Sequence, residues 1–174
     1  FVRFSYYMTS CMAASTDGLE MSPGNTVNGV KNPYLTSSEW GWQTDPIGLR
    51  ISLVELYDRF RKPLFIVENG LGAHDTLTED GKVHDPYRIE YLKEHVKAMS
   101  DAINIDGVDL LGYTWWGCID LISESTRQMS KRYGFVYVDL DDEGHGTYKR
   151  YRKDSFYYYK KLIAANGNVD AVEE

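Results

Sequence analysis

Apolar and polar positions alternate between two textures along the chain. An aromatic run at residues 1–8 predicts a strand. Residues 9–43 are rich in Ser, Gly, Asn and Pro and predict one long loop; loops of that length in compact domains are usually functional or disordered. Asp45-Pro46 then gives a helix start, with a carboxylate at the N-cap and proline at the first helical position. Leu49, Leu53, Leu56, Tyr57 and Phe60 follow at helical spacing and predict a single apolar face, which Pro63 ends. Residues 64–67 form a short continuous apolar run, the pattern of a strand buried on both faces of a parallel sheet. Asp85-Pro86 repeats the helix-start signal. Ile89, Leu92, Val96, Met99 and Ile103 predict a second amphipathic helix, closed by Asp106-Gly107. Residues 108–116 read as the next strand, a polar loop runs to about Tyr133, residues 135–138 read as a further short strand, and residues 154–164 as a last helix.

Strand, helix, strand, helix, strand, helix implies βαβ units and a parallel sheet, an α/β fold. Three such units cannot close a barrel by themselves. They suit either part of one or a small doubly wound sheet. No repeat of fixed period and no low-complexity tract interrupts the order.

Composition narrows the classes. The 174 residues are 43% hydrophobic, enough for one domain with a real core and against disorder. A net charge of -7, from 19 basic and 26 acidic side chains, opposes wrapping nucleic acid or lying on an anionic membrane. No apolar run approaches the roughly 20 residues that cross a bilayer. The chain opens at Phe1, inside an aromatic stretch and without an initiator Met or signal peptide, which reads as a cut start. Cys11 and Cys118 show neither a CxxC pattern nor metal-ligand spacing. They read as two reduced, partly buried thiols, which points to a cytoplasmic protein. No metal or cofactor is expected.

Glu68 directly follows the apolar run at residues 64–67. In a parallel α/β array, catalytic groups gather at the C-terminal ends of strands. The competing reading is that Asn69-Gly70 is a turn dipeptide and Glu68 a solvated neighbour.

The wider stretch bears on that choice. Ile66-Val67-Glu68-Asn69-Gly70-Leu71-Gly72 closely resembles the nucleophile signature of glycoside hydrolase family 1. Three further segments resemble the same family in the same order. Phe4-Ser5-Tyr6-Tyr7 is similar to its Asn-Tyr-Tyr segment at the end of the sixth barrel strand. Glu39-Trp40-Gly41-Trp42 followed by Asp45-Pro46-Ile47-Gly48-Leu49-Arg50 is similar to the start of its sixth helix. Trp115-Trp116-Gly117-Cys118-Ile119-Asp120 is similar to its eighth-strand segment. The register holds from Phe1 to about Gly167. The resemblance implies that residues 1–174 are a single partial domain, about strands 6 to 8 of a (β/α)8 TIM barrel.

It also implies a chemistry. A retaining glycosidase uses two carboxyl groups about 5 Å apart, one as nucleophile and one as acid/base. Glu68 would be the nucleophile, and Tyr7 matches the tyrosine whose hydroxyl meets it. Trp116 matches the tryptophan that lines the sugar subsite. The family's acid/base glutamate lies in an Asn-Glu-Pro motif, which does not occur in this chain, so the polypeptide on its own should be inactive. The family's Asn before Tyr-Tyr is Ser5 here, which removes whatever contact that amide makes.

The loop after Trp116 narrows the substrate. Family members that take plain sugars carry a Glu seven residues after this tryptophan, where the chain has Ser123. Ser123 with Lys131 and Tyr133 resembles the phospho-sugar branch, in which a Ser, a Lys and a Tyr hold the sugar 6-phosphate. Lys supplies a compact charge and the hydroxyls directed donors. Ser130 is a possible further contact. Glu124 stands where galactoside-type members have Trp, which favours 6-phospho-β-glucosides. The expected partner is therefore a small phosphorylated β-glucoside. A 6-phospho-β-galactosidase, a plain β-glucosidase and a non-catalytic carbohydrate-binding or structural module remain as alternatives, and a solvated Lys-Arg loop is the bland one.

Overall fold

Three parallel strands position everything that follows: β1 (Val2–Ser5), β4 (Leu64–Glu68) and β5 (Leu110–Tyr113), hydrogen-bonded in the order β1-β4-β5. The computed structural model describes residues 1–24 and 27–172. β1 pairs with β4 from Val2 opposite Leu64 to Ser5 opposite Glu68, with a bulge between Phe4 and Ser5. β4 pairs with β5 from Leu64 opposite Leu110 to Ile66 opposite Tyr113. The three C-terminal strand ends therefore lie side by side.

The helices cover one face of this sheet. Leu64 and Ile66 of β4 are fully buried in one core with Leu49 and Leu53 of α1 (Pro46–Phe60) and Leu92 of α2 (Pro86–Asn104). Phe65 and Val67, pointing the other way, are only half-buried, and Arg3, Ser5 and Leu111 on the neighbouring strands are exposed. The apolar run predicted burial on both faces; among the described residues only one face is covered. Among the described residues, β1 and β5 each have a free edge.

The two Asp-Pro helix starts turn out differently. Asp45 caps α1, its carboxylate accepting from Gly48 N at 2.9 Å. Asp85 occupies the N-cap position of α2 but makes no side-chain capping bond; its carboxylate is drawn instead to Arg88 and Ser155. The apolar faces also stop short of the sequence pattern, since Phe60 and Ile103 are exposed at the last turns.

The strand read at residues 135–138 is β6 (Val136–Val138), and it does not join the parallel sheet. It pairs antiparallel with β7 (Arg150–Arg152), a strand whose three polar-leaning residues gave no sequence signal. The turn between them is held by carboxylates: Asp139 accepts from Thr147 N and Asp141 from His145 N. Helix α3 (Asp154–Ala164) then packs on α2, followed by a short 3-10 helix at Val169–Ala171. The long loop at residues 9–43 carries a small ladder of β2 (Met21–Ser22) and β3 (Gly29–Val30), and buried Gln43 ties it back by donating to Thr9 O and accepting from Asn32 N. Both cysteines are free; Cys11 is half-buried, but Cys118 is exposed rather than partly buried.

Candidate active site

Glu68 is the last residue of β4, and the next residue fixes where it points. Asn69 is fully buried. Its amide donates to Tyr6 O at 2.7 Å and to the Tyr91 hydroxyl at 2.9 Å. Its side-chain oxygen accepts from the Tyr113 hydroxyl at 2.9 Å, and its carbonyl from Trp116 N at 2.8 Å. One side chain thus binds the ends of β1 and β5 and the inner face of α2. Asn69-Gly70 is not a hairpin turn: Gly70 is absent from the left-handed glycines and lies against the Trp115 ring. Sequence reasoning missed Asn69 as a clamp, because its partners are distant in the chain.

The Tyr7 hydroxyl donates to Glu68 Oε2 at 3.2 Å. Burial, and next the Glu68 charge, hold that hydroxyl well above the usual tyrosine range, so it stays a donor. The Tyr7 ring meets Trp42 edge-on at 5.7 Å and Tyr133 at 6.5 Å. A cavity of about 220 Å³ opens beside these groups, lined by Tyr7, Trp42, Glu68, Trp116, Ser123, Glu124, Ser125 and Tyr133. Five of the six residues singled out from the sequence line this one space.

Ser123 is buried, its hydroxyl 3.4 Å from that of Ser125, and burial pushes the Tyr133 hydroxyl up to about 12. The loop holding Ser123 is closed by Ser123 N donating to Gln128 O and Arg127 N to Ser123 O, with Arg127 left-handed at φ 58. Gln128 also accepts from Trp40 Nε1 at 3.1 Å, joining the two loops.

Lys131, the sixth residue, is not among those that line the cavity. It is 1% exposed. Its Nζ sits 3.9 Å from the centre of the Trp42 ring and 5.3 and 5.8 Å from those of Trp40 and Tyr133. It has no hydrogen-bond acceptor among the described residues. Burial in this aromatic box lowers it to about 8. Gly72 makes the close fit possible, because a Cβ there would fall 2.9 Å from Lys131 Cε and from Tyr133 Cζ. Ser130 is spent elsewhere: its amide and hydroxyl both donate to Asp142 at 2.7 Å. Trp115 belongs to the core, donating to Tyr133 O and packing on Phe135. Among the described residues, no group of three or more His, Cys, Asp or Glu could hold a metal ion, and no helix is long and apolar enough to cross a membrane.

A parallel β/α segment with its polar cavity at the C-terminal strand ends has the arrangement of the barrel enzymes. The chain belongs to glycosyl hydrolase family 1, whose model matches residues 1–168. It is 61% identical over 169 residues to the aryl-phospho-beta-D-glucosidase BglH of Bacillus subtilis, covering 96% of this chain and 35% of that protein. It is 59% identical over 169 residues to a 6-phospho-beta-glucosidase of Dickeya chrysanthemi, covering 97% and 36%. A solved family 1 b-glucosidase from Thermotoga maritima superposes with a TM-score of 0.79 at 34% identity, over 95% of this chain and 35% of that one. The chain thus spans about a third of the length of the relatives it matches.

Proposed function

We propose that residues 1–174 are a single partial domain, the sixth to eighth strands of a family 1 (β/α)8 barrel, and that the complete barrel is a retaining 6-phospho-β-glucosidase. Glu68 is the nucleophile. Its carboxylate attacks the anomeric carbon as the bond to the aglycone oxygen breaks, and that oxygen takes a proton from a second carboxyl group. Water, losing a proton to the second carboxylate, then cleaves the glycosyl–Glu68 bond, freeing glucose 6-phosphate and regenerating both carboxyl groups. Tyr7 donates to the ionised nucleophile and holds it in place. Trp116 offers an aromatic face to the C–H side of the sugar. Ser123, Lys131 and Tyr133 receive the 6-phosphate. The second carboxyl group must come from outside this segment, so the segment alone is inactive. Two free thiols suit a cytoplasmic setting.

The observation that supports a phosphorylated substrate is the Lys131 ammonium. A buried cation with no oxygen partner is costly; Lys131 Nζ has none among the described residues and lies 5.8 Å from the ring centre of Tyr133, which lines the cavity with Ser123. A dianionic phosphate would supply what it lacks. Glu124 directly after Ser123 supports a gluco over a galacto configuration.

The test uses the complete enzyme with nitrophenyl β-glucoside and its 6-phosphate. The expected outcome is a strong preference for the phosphorylated sugar and loss of turnover by orders of magnitude in Glu68→Ala. Preference for the plain glucoside would remove the phosphate assignment, near-normal turnover of Glu68→Ala the nucleophile. Tight sugar binding without turnover in the wild-type barrel would favour a carbohydrate-binding module.

A further inference from the structure

A second polar cluster adjoins the cavity and has no part in the chemistry above. Asp75, Asp85 and Asp120 face Arg88, Arg132 and Lys153, three negative against three positive charges. Five of these side chains are 0% exposed and Arg132 only 6%. Arg88 donates to Asp75 at 3.1 Å and to Asp85 at 2.5 Å. Lys153 bridges Asp75 and Asp120, at 2.7 Å from the latter. Arg132 donates to Asp120 at 3.1 Å, to Val138 O at 2.8 Å and to Leu140 O at 2.7 Å. Taking six charges out of water is not in itself a route to stability, since apolar replacements of similar volume often do as well. The cluster therefore invites a reason beyond holding the fold together.

Its place in the chain supplies one. Arg132 stands between Lys131 and Tyr133. It forms a bridge with Ala73, each backbone amide donating to the other's carbonyl at 3.0 Å. On extended backbone, neighbouring side chains point to opposite sides. Arg132 enters the charge cluster, while Lys131 turns to the Trp42 ring and Tyr133 lines the cavity. The Arg132 carbonyl also accepts from Arg88 Nη2 at 3.0 Å. Past Tyr133, Gly134 N donates to Asp120 at 2.9 Å. The backbone on both sides of Tyr133 is thus clamped by the cluster, whereas Lys131 Nζ has no hydrogen-bond partner among the described residues. Gly72 packs against both side chains and leaves them little room to shift.

We propose that Arg132, with Asp120 and Arg88, forms a positioning set that fixes the Lys131 ammonium relative to the Tyr133 hydroxyl, and so sets the discrimination between a 6-phosphate and a 6-hydroxyl. The proposal rests on the reading of Lys131 and Tyr133 as phosphate ligands. None of the three positioning residues touches the sugar.

The experiment compares Arg132→Lys, Asp120→Asn and Lys131→Met in the complete enzyme, on phosphorylated and plain nitrophenyl glucosides, with thermal melting as a control. Arg132→Lys keeps the charge but loses the planar fork. The expected result is a KM for the phosphorylated sugar raised about tenfold or more, with kcat and the plain-glucoside kcat/KM within about threefold of wild type. Asp120→Asn should move in the same direction. Equal losses on both sugars in these variants, while Lys131→Met loses the phosphate preference, would overturn the positioning role and leave the phosphate reading standing. An unchanged preference in Lys131→Met would overturn the phosphate reading and the positioning role with it. Failure of both Arg132→Lys and Asp120→Asn to fold would show the cluster to be purely structural, and also overturn the proposal.

Discussion

Lys131 is the residue in which the physics of the site is most concentrated. The fold buries its ammonium against Trp42, Trp40 and Tyr133 and lowers it to about 8. Between that value and the usual lysine range, the unfolded chain holds a proton that the folded chain has released. Stability therefore rises with pH through this window, and below about 8 the full cost of the buried charge is present. Binding a phosphate dianion needs the protonated form. The KM for a 6-phosphorylated glucoside is expected to be flat from about pH 7, where the phosphate is dianionic, to about 8 and to rise roughly tenfold per unit above it. The plain glucoside should show no such rise, and Lys131→Met should abolish it. A pH profile of KM for both sugars checks this; parallel profiles would contradict it. The residues Glu68, Tyr7 and Ser123 were legible because each falls inside a local motif. Asn69 was not, since a buried amide and a turn amide look the same in one dimension.

At the scale of elements, two identical dipeptides make the point. Asp45-Pro46 and Asp85-Pro86 both start helices where the sequence predicts them. Asp45 caps its helix, so Asp45→Ala should cost about 1 kcal/mol. Asp85 leaves its cap for Arg88, Ser155 N and the Ser155 hydroxyl, all of them buried. Asp85→Ala removes one charge from a buried network and should cost about 3–5 kcal/mol. Urea unfolding of the two variants in the complete barrel checks the order, and equal costs would contradict it. The hydrophobic period located α1, α2, α3 and β4 within a residue or two. It gave β6 no partner, because a three-residue apolar run carries no record of which strand it will pair with. β7, reading Arg-Tyr-Arg, has no apolar period at all and owes its pairing to the turn held by Asp139 and Asp141.

For the whole molecule, the unfinished surfaces matter most. β1 and β5 each offer an unpaired edge, and the sheet face away from the helices exposes Leu111 at 57%. Phe1 is 73% exposed beside β1. Open edges next to apolar surface invite pairing between chains. Residues 1–174 expressed alone should elute in size exclusion as associated species or be lost to aggregation. A sharp, concentration-independent monomer peak would count against this. In a complete barrel the same edges would be paired and the same face would become the interior.

The sequence by itself determined the order of elements, the strand end that bears Glu68 and the loop that bears Ser123, Lys131 and Tyr133. Each of these follows from periodicity or from a motif of a few adjacent residues. Only the tertiary structure decided that Asn69 clamps three elements and that Lys153 reaches Asp75 across 78 positions. The reason is physical. Local pattern sets which face of an element is apolar, whereas the partner of a buried polar group is chosen by how those faces pack, and that choice leaves no trace at short range along the chain.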